Sequence, residues 1–182
     1  KNDDEDQIAS YTQDSKQHDS KTETFVALMA KIDNWRWAGV PFFLRTGKRL
    51  KTRASEIVIT FKPIQHFIFD KTEKNNTLPN QLIIRLQPDE GLKILLMSKE
   101  PGPGGIRISP SYLNLSFSDA FKSKIPDAYE RLLMDVVRGN QTLFMRKDEV
   151  EAAWSWIDPI INLIKKNNRL PETYTPKSWG CL

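Results

Sequence analysis

The sequence predicts an α+β fold: a large, mostly antiparallel β-sheet with helices packed on one face. Three observations predict it. Six short runs rich in β-branched and aromatic residues lie between residues 24 and 117. Two runs with helical apolar spacing follow, after residue 126. The order is strands first and helices last, and no internal repeat is visible.

Thr24–Ile32 reads as the first strand, ending at Asp33-Asn34, with a helix as an open alternative for such an apolar run. Trp35 and Trp37 would share one face of any extended continuation. Gly39 and Pro41 mark a bend, and the second strand runs from Val40 to Arg45. Ser55–Lys62 is the third strand, bounded by charge and Pro63. A loop over 63–79 carries His66 beside Phe67, Ile68 and Phe69. Gln81–Gln87 is the fourth strand and Leu92–Lys99 the fifth. Between them Pro88-Asp89-Glu90-Gly91 reads as a hairpin turn, with Pro presetting φ and Gly supplying φ > 0. Pro101-Gly102-Pro103-Gly104-Gly105 is a loop. Neither a helix start nor the lysine of a phosphate-binding loop follows it. Ile106–Phe117 is the sixth strand, interrupted at Pro110.

The first helix starts at Pro126, with Asp127 and Glu130 in its first turn favouring the helix dipole. Tyr129, Leu132, Leu133, Val136 and Val137 make one apolar face, and Gly139 terminates the helix. The second helix starts near Asp148, with Glu151 completing a capping box. Its core stripe is Val150, Trp154, Ile157, Ile161 and Ile164, and Pro159 kinks it. Residues 169–182 read as an irregular tail.

The chain has 182 residues, 39% of them hydrophobic, enough for one sizeable core. Its mean hydropathy is −0.51, and no apolar run approaches the ~18 residues of a membrane span. The N-terminus is polar, without the apolar region of a secretory signal. The one cysteine, Cys181, excludes an internal disulfide and fits a reducing, cytoplasmic setting. The chain begins at Lys1 rather than Met, which reads as a piece of a longer protein.

The net charge of +4 hides an asymmetry. Residues 1–20 carry two lysines against six acids, a balance of −4, and the rest carries 25 basic against 17 acidic residues, a balance of +8. Residues 1–21 are too polar to bury surface that offsets their ordering entropy, so they read as a mobile or loosely attached segment, and 22–182 as the folded domain. The basic domain suits an anionic partner. Nucleic acid ranks last, because no aromatic platform is interleaved with the cations.

Little catalytic chemistry is present. Two histidines and one cysteine give no metal-ligand spacing, and no dinucleotide fingerprint follows any strand. His18 has no evident partner, and His66 beside aromatics reads as a packing or surface residue. What remains is basic residues at strand ends: Arg45, Lys48, Arg49, Lys51, Arg53 and Arg85. Arg85 and Gln87, two apart, share one strand face and could read an anion and a hydroxyl together. The densest group is Arg45-Thr46-Gly47-Lys48-Arg49, where a strand ends in a glycine and cations that could hold an anion. On chemistry alone a solvated basic turn is the simpler reading.

The stretch Asp33-Asn34-Trp35-Arg36-Trp37-Ala38-Gly39-Val40-Pro41-Phe42-Phe43-Leu44-Arg45-Thr46-Gly47-Lys48-Arg49-Leu50 resembles the signature of the glucose-6-phosphate dehydrogenase C-terminal domain. Asn80–Gly91 resembles that family's strand and turn, Pro126–Leu133 its helix, and Asp148–Trp154 the helix that follows. The likeness covers roughly residues 22 to 180 and is bacterial in type.

The resemblance implies a parent enzyme that oxidises glucose 6-phosphate at C1 with NADP. The family's catalytic histidine, its phosphate-clamping motif and its nucleotide-binding Rossmann domain lie N-terminal to this region. This chain alone is therefore expected to be inactive, with no catalytic residue of its own. The resemblance assigns Lys48, Arg53 and Gln87 to the substrate; Arg45 and Arg85, whose equivalents serve a second, structural NADP in some members, are read as supporting anion contacts. It also implies a homodimer formed through the sheet. Ala54, Val58 and Asn114-Leu115-Ser116-Phe117 depart from the pattern that holds a second, structural NADP in some members, so none is expected here. The alternative reading is a free-standing, non-catalytic anion-binding or dimerisation module.

Overall fold

The six expected strands all form, and every pairing among them is antiparallel. The computed structural model describes residues 10–16, 20–66, 77–103, 105–121, 128–168 and 170–181. His18, Gly104, Pro126, Asp127 and most of the 63–79 loop lie outside the described residues. The chain divides into two compact units. Residues 1–52 with 141–182 form the first, and residues 53–140 the second. The α+β class holds, but the strands are divided between two sheets rather than joined in one.

In the first unit, β1 (Phe25–Ala30) pairs with β2 (Phe42–Gly47), so that Ala27 faces Arg45 and Phe25 faces Gly47. Both strands are offset from the sequence reading, β1 ending at Ala30 and β2 starting at Phe42. The residues between them coil into a turn. Asn34 Oδ1 accepts from Trp37 N at 2.8 Å and Asn34 O accepts from Ala38 N at 2.9 Å. An asparagine that bonds its own neighbours competes with the strand ladder. Trp35 and Trp37 therefore share no extended face. Trp35 is 90% exposed, whereas Trp37 meets Phe42 edge-on at 5.3 Å. Gly39, at φ +78°, makes the expected bend.

Among its described residues the same unit holds two helices. The short α1 (Tyr11–Asp14) is capped by Ser10 Oγ, and its Asp14 pairs with Arg49. The helix α4 (Lys147–Lys166) starts one residue before Asp148. The carboxylate that reaches back is Glu149, accepting from Arg146 N at 3.1 Å, rather than Glu151, which pairs with Lys147 at 3.6 Å. Pro159 lies inside the helix, which continues through it.

In the second unit β3 (Ser55–Thr60), β4 (Gln81–Gln87), β5 (Gly91–Lys99) and β6 (Ile108–Ser116) form a meander in sequence order. β5 is flanked on both sides and holds Leu95, 6% exposed. Pro110 does not interrupt β6. It sits opposite Met97 on the outer edge strand, where alternate amides point away from the ladder and none is needed. A helical turn, α2 (Phe117–Ala120), follows, tied to the β4–β5 turn by Phe117 N donating to Glu90 O at 3.0 Å. The helix α3 (Ala128–Arg138) ends in a Schellman motif: Gly139 at φ +69° donates to Val136 O and Asn140 to Asp135 O.

Gly91 is required for a reason other than the expected positive φ. It is the first residue of β5, and a Cβ there would lie 2.5 Å from Leu115 O of the neighbouring strand. Gly91→Ala is expected to destabilise the fold by about 1–3 kcal/mol, because β5 and β6 would have to part. The midpoint of urea unfolding checks this, and an unchanged midpoint would show that the strands separate freely.

The helix stripes read as core are largely open. On α3, Tyr129, Leu133, Val136 and Val137 are exposed, Val137 by 82%, and Leu132 is half-buried. On α4, Val150, Trp154 and Ile164 are exposed while Ile157 and Ile161 are half-buried. Ile57, Val58 and Ile59 of β3 are exposed as well, so both faces of that strand are apolar and uncovered. Periodicity reports that a face is built to be covered, not what covers it. Among the described residues this chain supplies no full layer over these faces.

Candidate functional site

β2 delivers Arg45 within the strand, Gly47 at its end and Lys48 just beyond. Gly47 serves packing as well as approach, since a Cβ there would come within 2.8 Å of the Phe25 ring. The main chain of Lys48 is bonded at both ends. Its N–H donates to Thr24 O at 2.8 Å, and its carbonyl accepts from the Tyr174 hydroxyl at 2.7 Å. Arg49 stands at φ +48°, uncommon for a residue with a side chain. Its carbonyl accepts from Lys177 N at 2.8 Å, and Lys51 N donates to Ser178 O at 2.8 Å. The loop after β2 is thus laced to residues 174–178.

The Lys48 side chain is exposed, and among the described residues its ammonium has no hydrogen-bond or ion-pair partner. A main chain held on two sides beneath a free ammonium is suited to receive an anion from solvent. Arg49 differs, with its guanidinium engaged by Asp14. Arg45 lies over the Trp179 ring at 5.3 Å, a cation–π contact that orients its guanidinium.

The second unit carries Arg53, Arg85 and Gln87. Ser55 pairs with Gln87, so Arg53, two residues before β3, and Gln87, at the end of β4, lie at the same end of the sheet. Arg85 is half-buried and Gln87 exposed. The ladder slips between Ser55 and Glu56, passing over Leu86, so the alternation from Arg85 to Gln87 runs through an irregular pair. Ala54 and Val58, both exposed, add no charge to this sheet.

The described residues contain no group of three or more His, Cys, Asp or Glu placed to hold a metal ion. No helix among them is long and apolar enough to cross a membrane. His66 is exposed. Sequence reasoning missed the tail: Tyr174 and Trp179 read as irregular coil, yet they brace the Lys48 loop and Arg45. The available signal was a pair of large aromatics and Gly180 in a short irregular tail. At φ +93°, Gly180 packs where a Cβ would overlap the Phe25 ring.

The family model described as "Glucose-6-phosphate dehydrogenase, C-terminal domain" matches residues 1–182. The chain is 59% identical over 161 residues to the glucose-6-phosphate 1-dehydrogenase of Rhizobium meliloti, covering 88% of this chain and 33% of that protein. It is 54% identical over 167 residues to the enzyme of the same name from Mycolicibacterium smegmatis, covering 92% and 33%. Among solved structures it is similar to a glucose-6-phosphate dehydrogenase in complex with its substrate glucose-6-phosphate. That likeness has a TM-score of 0.81 and 34% identity, over 94% of this chain and 34% of that one. The chain spans about a third of the length of these relatives.

Proposed function

The chain belongs to the glucose-6-phosphate dehydrogenase C-terminal domain family, and from that premise we propose that it is the substrate wall and dimer platform of such an enzyme. The enzyme oxidises glucose 6-phosphate to 6-phosphogluconolactone in the pentose phosphate pathway of the cytoplasm. NADP, when bound, accepts the hydride from C1. The catalytic base and most of the nucleotide site belong to the two thirds of the relatives' length that this chain does not span.

One observation carries the reading: the exposed Lys48 ammonium, without a partner among the described residues, on a doubly bonded main chain inside the family signature. Lys48 supplies a point charge and hydrogen bonds to the sugar phosphate. Arg53 and Gln87 are further substrate contacts, one ionic and one suited to a hydroxyl. Arg45 and Arg85 support the anion from the strands. The uncharged Ala54 and Val58 argue against a structural NADP. The apolar, uncovered residues of β3 support a homodimer formed through the sheet, and the open stripes of α3 and α4 support cover by the rest of the enzyme. The relatives' names favour this reading over a free-standing binding module.

The test is an assay of the full-length protein with NADP. Glucose 6-phosphate is expected to be oxidised with a kcat/KM at least about 100-fold above that of glucose, because a site built around a phosphate leaves its cations unpaired without one. Equal use of both sugars would remove the phosphate-binding role.

A further inference from the structure

We propose that Tyr174 is a positioning residue for Lys48, so that the C-terminal tail sets the affinity for the substrate's phosphate. The inference rests on the assignment of Lys48 to the substrate. The Tyr174 hydroxyl lies 2.7 Å from Lys48 O, 3.2 Å from Thr24 O and 3.3 Å from Thr24 Oγ1. A hydroxyl has one proton to give, and the shortest contact, Lys48 O, takes it. Thr24 Oγ1 can then donate to a lone pair of the Tyr174 oxygen. Thr24 O in turn accepts from Lys48 N at 2.8 Å. Thr24, Lys48 and Tyr174 thereby close a ring of hydrogen bonds around a single residue's main chain.

The Tyr174 ring is itself seated. It packs tilted on Phe25, 5.5 Å between centroids, and Phe25 is bounded by the side-chain-free Gly47 and Gly180. The next residue of the loop, Arg49, holds a positive φ that relaxes unless its surroundings restrain it, and Lys177 N, three residues beyond Tyr174, bonds its carbonyl. The Lys48 side chain has four flexible bonds and no partner of its own among the described residues. Its reach is therefore set by where its main chain is anchored. A fixed anchor lowers the ordering cost that binding must overcome.

The experiment is steady-state kinetics of the full-length protein carrying Tyr174→Phe, which keeps the ring on Phe25 and removes only the hydroxyl. The KM for glucose 6-phosphate is expected to rise about 3–10-fold, the loss of one hydrogen bond, while kcat and the KM for NADP stay within about twofold. An unchanged KM for glucose 6-phosphate overturns the proposal. So does a comparable loss in all three, kcat falling and both KM values rising together with a lowered melting temperature, the mark of a merely structural role. Lys48→Ala measured beside it separates the two layers. If Lys48→Ala leaves that KM unchanged, the substrate role of Lys48 fails. If it raises the KM and Tyr174→Phe does not, the role stands and the brace fails.

Discussion

Replacing Lys48 by alanine in the full-length protein is expected to raise the KM for glucose 6-phosphate about 10–100-fold. A hydrogen bond to a charged group contributes about 1.5–3 kcal/mol, and every 1.4 kcal/mol is tenfold in affinity. The stability of the fold should hardly move, within about 0.5 kcal/mol, since the side chain is exposed and touches no partner among the described residues. That contrast separates the role from a structural one: affinity falls while the melting temperature stays. Lys48→Arg should recover part of the loss, keeping the charge but presenting a planar fork where a compact ammonium stood. A Lys48→Ala enzyme with the parent's KM would make the basic loop a solvated turn and nothing more.

Expressed by itself, the 182-residue chain is expected to reduce no NADP with glucose 6-phosphate, at a rate indistinguishable from a blank. The chemistry of proton removal and hydride transfer needs a positioned base and a nucleotide cradle. The sequence holds no glycine-rich dinucleotide fingerprint, and His66 stands exposed. The same preparation should bind a hydrophobic dye or self-associate, because Tyr129, Leu133, Val137 and Trp154 are open to solvent. Turnover by the isolated chain would put the catalytic apparatus inside it and overturn the division of labour proposed above.

How far the sequence could be read depended on the range of the interaction involved. Gln81–Gln87 was legible to the residue, since a run of apolar and β-branched residues bounded by Asn80 and Pro88 declares a strand locally. The Gly139 terminator was legible for the same reason. Errors arose where a local signal had a nearby competitor. Asn34 bonded Trp37 and turned an expected extension into a coil, and Glu149 reached the helix start before Glu151. Gly91 was identified as necessary but for the wrong cause, because the carbonyl that forbids a Cβ comes from Leu115 on another strand.

The site divides in the same way. The cluster Arg45-Thr46-Gly47-Lys48-Arg49, its place at a strand end and its likeness to a family signature are properties of consecutive residues. By itself, therefore, the sequence determined the α+β class and the antiparallel strands, and it grouped the cations of one loop. Tertiary structure alone decided that the strands split into two sheets, that the amphipathic stripes lie open, and that Tyr174 braces Lys48 from 126 positions away. Propensity and periodicity are summed over a few neighbouring residues. A hydrogen bond that spans most of the chain is selected only when folding closes the loop between its partners and brings both groups to one place.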